Sequence, residues 1–311
     1  MVQSSTAMMT SFPAASAVPP AGWRLWWAGA RPRTLPAALV PVAVGTAVAD
    51  VEGSVVWWRA ALSLAVSLAL QIGVNFANDY SDGIRGTDDV RVGPLRLVGS
   101  KLASPRAVKS AMLGAFGAAA AAGLVLASVT SWWLLAVGAA AILAAWFYTG
   151  GPRPYGYAGL GELFVFTFFG LVAVTGTAYV QNERVTRLGV VAAIPVGLLA
   201  TALLVTNNLR DIPGDTESGK RTLAVRLGDA RTRTLYIGLV ALALALVSIV
   251  AAVAHHALVL VALAAIVAAL PGVRAVRSGA AGRALIPVLG ATSRLQLVFG
   301  ALMSLGLVLP R

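Results

Sequence analysis

Residues 75–89 read NFANDYSDGIRGTDD, and they overlap the end of an apolar run, 54–78, long enough to be buried in lipid. The stretch holds Asp79, Asp82, Asp88 and Asp89, four of only 12 acids in 311 residues. Gln71, Asn75, Asn78 and Asp82 are spaced 4, 3 and 4 apart and so share one face of a helix, with Asp79 beside that face at its polar end. A related pattern recurs in NNLRDIPGDTESGKRT, residues 207–222, where Asn208, Asp211 and Asp215 are spaced 3 and 4 apart. Pro213 and Gly214 predict a helix break there, which puts Asp215 on a loop.

The chain around these motifs is 58% hydrophobic and 12% charged, with a mean hydropathy of +0.82. Such a composition cannot supply the polar surface of a soluble domain of this length. Apolar runs at 35–49, 54–78, 107–128, 131–149, 159–180, 188–208, 234–254, 256–273 and 291–309 are each long enough to cross a hydrocarbon core with some tilt, the first being short and kinked by Pro36 and Pro41. The expected fold is therefore all-α, a polytopic membrane bundle of nine transmembrane helices with two Asp-rich cytoplasmic loops. Residues 1–20 hold no Lys or Arg, are rich in Ser, Ala and Pro, and read as a disordered tail. Residues 21–311 read as one transmembrane domain.

The net charge of +12 does not indicate nucleic acid, because the basic residues sit in short segments between apolar runs. With the N-terminus placed in the cytoplasm, 20 of the 24 Lys and Arg residues fall on the inner side, as the positive-inside rule requires. Trp57–Trp58 and Trp132–Trp133 then mark the outer interface and the His255–His256 pair an outer turn. Both acidic helices end on the inner side, so one bundle can bring their carboxylates together.

Two facing acidic clusters repel unless a cation lies between them. With no cysteine in the chain, thiolate sites and disulfides are excluded, and an oxygen-only ligand set suits Mg²⁺. Mg²⁺ takes one or two carboxylates and completes its shell with water and phosphate oxygens. Lys and Arg close to the acids, such as Lys101, Arg153, Arg210 and Lys220, are the groups that hold a diphosphate. Glu162 opens a helix, where a carboxylate answering the helix dipole is as natural as a ligand.

With both motifs in view, the chain resembles the UbiA-type membrane prenyltransferase superfamily, and within it the 1,4-dihydroxy-2-naphthoate polyprenyltransferase branch. The resemblance rests on RPRTLPAALVPVAVGTA at 31–47, NFANDYSDGIRGTDD at 75–89, VGPLRLVGS at 92–100, YTGGPRPYGYAGLGELFVFTFFG at 148–170 and NNLRDIPGDTESGKRTLAVRLG at 207–228. The commoner first motif of the superfamily carries a third Asp where this chain has Gly86, and Asp88 follows two residues later. The resemblance implies transfer of a polyprenyl group from a polyprenyl diphosphate to 1,4-dihydroxy-2-naphthoate, with loss of diphosphate and CO₂, to give demethylmenaquinone for menaquinone biosynthesis. It implies Mg²⁺ held by Asp79, Asp82, Asp88, Asp211 and Asp215, and a diphosphate held by Lys101, Arg153, Arg210 and Lys220. Asn75, Asn78, Asn208, Tyr80, Tyr148 and Tyr155 are expected to line the substrate site, with Arg33 facing the acceptor carboxylate. A bacterial inner membrane, with the N-terminus and the active site cytoplasmic, is the expected location. Another acceptor within the superfamily and a cation transporter are the rival readings, and a transporter would carry its ionisable residues near the bilayer midplane.

Overall fold

The computed structural model describes residues 21–53, 55–86 and 95–310. The tail at 1–20 and the positions Asp88 and Asp89 lie outside the described residues. Among the described residues the chain is helical throughout. Seven helices are long and apolar enough to cross a membrane, and an eighth crossing is formed if the bent pair Trp23–Thr34 and Pro36–Glu52 is counted as one. In chain order the helices are α1 (Trp23–Gly29), α2 (Pro36–Glu52), α3 (Trp57–Ile84), α4 (Pro105–Val129) and α5 (Leu134–Phe147). They continue as α6 (Gly161–Asn182), α7 (Arg187–Glu217), α8 (Leu223–Ala254), α9 (Ala257–Arg277) and α10 (Gly282–Val308).

Two expectations from sequence are refined here. First, among the described residues seven full-length spans are found, or eight with the bent pair, and the run expected at 131–149 forms α5 with 14 helical residues, about 21 Å at 1.5 Å per residue, against a hydrocarbon core of about 30 Å. The polar stretch before α2 also bends by 57°: Arg31 adopts a left-handed conformation with φ 54°, and Pro32 and Pro36 remove backbone donors. Second, the described acids of both motifs are on helices and not on loops. Asp79 and Asp82 lie within α3, and Asp211 and Asp215 within α7, which runs on through Pro213 and Gly214. Proline removes one backbone bond, and the Ser218 amide still donates to the Gly214 carbonyl at 3.0 Å, so the helix closes normally one turn later.

The centre of the bundle is α7, whose apolar window is 78% buried. Its Ala192, Ala193, Val196, Leu199, Ala202 and Val205 pack into one apolar cluster with Val44 and Val48 of α2, Tyr236 and Val240 of α8 and Phe299 and Met303 of α10. Small residues allow close approach here. A methyl group on Gly170 of α6 would sit 2.5 Å from the Gly197 backbone of α7, and one on Gly45 of α2 would sit 2.5 Å from the Val174 carbonyl of α6. By contrast α5 has no buried residue, and the outward side chains Leu113, Leu143, Leu163 and Val267 are exposed. A greasy outer surface of this kind is what lipid covers. The exposed Trp57, Trp58, Trp132 and Trp133 gather at one end and Trp23 and Trp27 at the other, as interfacial rings do.

Candidate active site

The polar face of α3 divides its work along its length. Gln71 and Asn75 each donate to the Thr34 hydroxyl at 2.9 Å, and Asn75 also donates to the Ala30 carbonyl at 2.9 Å. Thr34 in turn donates to the Arg31 carbonyl at 2.9 Å. These bonds fix the bend between α1 and α2. One turn on, Asn78 accepts from the Thr149 hydroxyl at 2.9 Å, and Arg85 donates to the carbonyls of Thr149 and Gly151. The segment after α5 is thereby tied to α3.

Asp79 and Asp82 then face different partners. Asp79 has no exposed surface and accepts the backbone amides of Leu97 and Val98 at 2.7 and 2.9 Å. Asp82 accepts from Lys220 Nζ at 3.0 Å, from Arg96 at 3.5 Å and from the Tyr157 hydroxyl. On α7, Arg210 grips Asp211 through two bonds of 2.7 Å and reaches the Asn207 amide oxygen at 2.8 Å. Asn208 donates to Glu162 at 3.0 Å, so that carboxylate joins α6 to α7. The Arg221 amide donates to the Tyr157 carbonyl at 3.0 Å, which brings the loop after α7 against the loop before α6.

Tyr157 is the residue on which these loops converge. The Lys220 ammonium lies 4.7 Å and the Arg85 guanidinium 5.6 Å from its ring centroid, within cation–π range. Burial, and then the Asp82 carboxylate beside it, hold the Tyr157 phenol above the usual tyrosine range. It stays protonated and donates to Asp82. Burial also raises the Tyr155 phenol.

These groups stand at one end of a cavity of about 530 Å³, within the range of small-molecule sites. Its polar end is lined by Asp82, Arg96, Tyr157, Asn207, Asn208, Asp211, Asp215 and Lys220, with Arg31, Arg33, Asn75, Asn78 and Thr149 nearby. Tyr148, Tyr155, Phe164 and Phe168 form the adjoining wall, with Tyr155 stacked on Phe164 at 4.0 Å. The cavity then follows α3 past Leu70 and Val66 to Ser63, and reaches Leu126, Leu134 and Val180 at the far end of the bundle. From Asp82 to Ser63 the helix runs about 28 Å. Arg59 closes that end, donating to the carbonyls of Val129 and Val180 at 3.2 and 2.8 Å and to Glu183 at 3.1 Å. A charged head with a long apolar tail matches this shape.

Of the residues singled out from sequence, Asp82, Asp211, Asp215, Lys220, Asn75, Asn78, Asn208, Tyr148, Tyr155 and Arg33 line the cavity. Asp79, Lys101, Arg153, Arg210 and Tyr80 are not part of its lining. Lys101 and Arg153 are exposed, Arg210 holds Asp211, and Tyr80 stacks on Trp146. Arg31, Arg96, Thr149 and Tyr157 were missed. Arg96 lay within the resembling stretch 92–100 and Tyr157 within 148–170, but neither falls on a helical period that would have set it apart.

No group of three or more carboxylate or histidine side chains converges on one point among the described residues. The cavity lining nonetheless supplies hard oxygens from α3 and α7: Asp82, Asp211, Asp215 and the amide oxygens of Asn78 and Asn207. That set fits a Mg²⁺ ion that takes one or two carboxylates and brings phosphate oxygens with it.

Comparison with known proteins agrees with this geometry. Residues 38–304 match the UbiA prenyltransferase family. The chain is 55% identical over 279 residues to the 1,4-dihydroxy-2-naphthoate octaprenyltransferase of Mycobacterium tuberculosis, covering 90% of this chain and 95% of that protein. It is 40% identical to the enzyme of the same name from Escherichia coli, covering 67% and 70%. A UbiA homologue from Archaeoglobus fulgidus bound to GPP and Mg²⁺ superposes with a TM-score of 0.63 at 18% identity, over 90% of this chain and 99% of that one. The apo UbiA homologue from Aeropyrum pernix K1 gives 0.69 at 17% identity, over 87% and 96%. At these identities the two structures speak for the fold.

Proposed function

The chain belongs to the UbiA prenyltransferase family, and from that premise we propose that it transfers a polyprenyl group from a polyprenyl diphosphate to 1,4-dihydroxy-2-naphthoate. The observation that carries the reading is one cavity with cations and carboxylates at one end, which runs about 28 Å along α3 from Asp82 to Ser63 and ends among Val66, Leu126, Leu134 and Val180. The high identity to enzymes of that name supports the acceptor. In the reaction the allylic C–O bond breaks and its electron pair leaves with diphosphate. A ring carbon of the naphthoate forms the new C–C bond. The carboxyl group then departs as CO₂ and its proton is released, leaving the pair in the ring. Electron balance puts the product at the quinol level of demethylmenaquinone.

Lys220 and Arg96, which line the cavity beside Asp82, would hold the diphosphate, with Lys101, Arg153 and Arg210 as the further cations proposed from sequence. Asp82, Asp211 and Asp215 supply carboxylates for Mg²⁺, which when bound neutralises charge growing on the leaving group. Asp79 also belongs to the ligand set inferred from the family resemblance, although its side chain here is bonded to backbone amides. The Tyr148, Tyr155, Phe164 and Phe168 wall excludes water and offers ring faces to an allylic cation. Arg33, at the cavity edge, is assigned to the acceptor carboxylate.

The proposed setting is a multi-pass protein of the bacterial inner membrane, with nine crossings counting the bent pair and α5. The basic loops and the site would face the cytoplasm, and 21–311 would form one domain. Purified protein given dihydroxynaphthoate, a defined polyprenyl diphosphate and Mg²⁺ should yield a quinol heavier than the acceptor by the prenyl group less the carboxyl group (CO₂ and one hydrogen). Recovery of unreacted acceptor beside turnover of another aromatic acid would refute the assignment.

A further inference from the structure

The acids of the site already have cationic partners. Asp82, with 4% of its side chain exposed, is paired with Lys220 at 3.0 Å and Arg96 at 3.5 Å, themselves 9% and 8% exposed. Asp211 is gripped by Arg210, whose side chain has no exposed surface. Pairs buried this deeply escape most screening by salt. A divalent cation arriving alone must push the Lys220 ammonium off Asp82 and leave it buried beside new positive charge. A diphosphate arriving alone meets Asp82, Asp211 and Asp215 across one cavity. When both arrive, every charge can be paired again: the carboxylate exchanges ammonium for metal, and the ammonium exchanges carboxylate for phosphate oxygen.

We propose that Lys220 and Arg96 are exchangeable counter-ions of Asp82, so that metal and diphosphate bind this site cooperatively, each weakly when alone. The proposal rests on the reading of the site as one for a metal–diphosphate substrate. Tyr157 is the hinge of the exchange. Its hydroxyl donates to Asp82 and its ring lies 4.7 Å under the Lys220 ammonium, so Lys220 can leave the carboxylate while it keeps the ring contact. Tyr157 and the Lys220 backbone are also held together, because the Arg221 amide donates to the Tyr157 carbonyl.

Coupling of this kind is reciprocal and commonly amounts to about 5–150-fold in affinity. The test uses the full chain in detergent, with Mn²⁺ binding read by electron paramagnetic resonance, alone and with inorganic pyrophosphate, after subtraction of a protein-free titration. The wild-type protein should bind Mn²⁺ about tenfold more tightly, or better, with pyrophosphate present. Lys220→Met should tighten binding of Mn²⁺ alone by about tenfold and lose most of the pyrophosphate effect. Arg221→Met removes the same charge from the exposed neighbouring position and should change Mn²⁺ affinity less than about twofold. Lys220→Gln, which keeps a donor without the charge, should fall between wild type and Lys220→Met and serves if the Met variant does not fold. Mn²⁺ binding unchanged or weakened in the Lys220 variants, or tightened equally by Arg221→Met, overturns the proposal. Turnover of the wild-type protein reports separately on the substrate reading, since it leaves the sign of the Lys220 effect untouched.

Discussion

Asp79→Asn separates two tasks that a carboxylate in an Asp-rich motif can perform. The side chain has no exposed surface and accepts two amides, Leu97 N–H at 2.7 Å and Val98 N–H at 2.9 Å. Those amides open a turn whose further bonds run from Ser100 N to the Arg96 carbonyl and from Leu102 N to the Leu97 carbonyl. Leu97 is itself fully buried against Ala30, Phe76, Val108 and Met112. An asparagine can accept one amide through its oxygen, and its NH₂ then faces the other, donor against donor. Loss of one charge-assisted bond, worth about 1.5–3 kcal/mol, together with a buried unpaired donor, predicts a cost of about 3 kcal/mol. For a chain of this size that is a fall in unfolding temperature of about 5 °C, read from tryptophan fluorescence in detergent with metal removed by a chelator. Prenyl transfer should fall as well, because the turn carries Arg96 to Asp82. If metal-free Asp79→Asn unfolds at the wild-type temperature while Mn²⁺ binding collapses, Asp79 is a ligand and its bonds to the turn contribute nothing.

Four further substitutions test other joints of the structure. Tyr157→Phe keeps the ring under Lys220 and removes the donor to Asp82. A hydrogen bond to a charged group is worth about 1.5–3 kcal/mol, so kcat/KM for the prenyl diphosphate should drop about 10–100-fold, and a value within twofold of wild type would refute the role. Gly45→Ala places a methyl 2.5 Å from the Val174 carbonyl and should cost about 1–3 kcal/mol. Gly214→Ala, which meets no atom within 4 Å inside a helix, should gain about 0.5–1 kcal/mol. Thermal unfolding of the pair in parallel checks both signs. Arg59→Met removes the donors to the Val129 and Val180 carbonyls, and its link to Glu183, half exposed, adds little. A loss of about 2–4 kcal/mol with prenyl transfer retained is expected, and loss of transfer at unchanged stability would mean that Arg59 acts on the tail.

What could be read from the sequence is periodic, and what could not is pairing across helices. Gln71, Asn75, Asn78 and Asp82 announce one polar face because 3.6 residues per turn bring them into line, and the echo at Asn208, Asp211 and Asp215 announces a second. The apolar runs give the number of greasy segments, but not where each helix stops. Trp132, Trp133 and Tyr148 extend the apolar count of α5, while turns at both ends leave only Leu134–Phe147 helical. Pro213 misled for the converse reason: a local rule about one missing donor does not outweigh the rest of a 31-residue helix packed at the centre of the bundle. The division of labour between Asp79 and Asp82 lies beyond any spacing rule. They are three residues apart on one helix, yet one meets backbone amides at 97 and 98 and the other meets Lys220, contributed from 138 residues away. A carboxylate is a turn clamp, half of an ion pair or a metal ligand according to what stands opposite it. Lys220 and Arg96, opposite Asp82, are cations that a diphosphate can draw away, whereas the Leu97 and Val98 amides opposite Asp79 are fixed in the backbone of a turn. That difference is why Asp82 is the one expected to change partners when substrate binds.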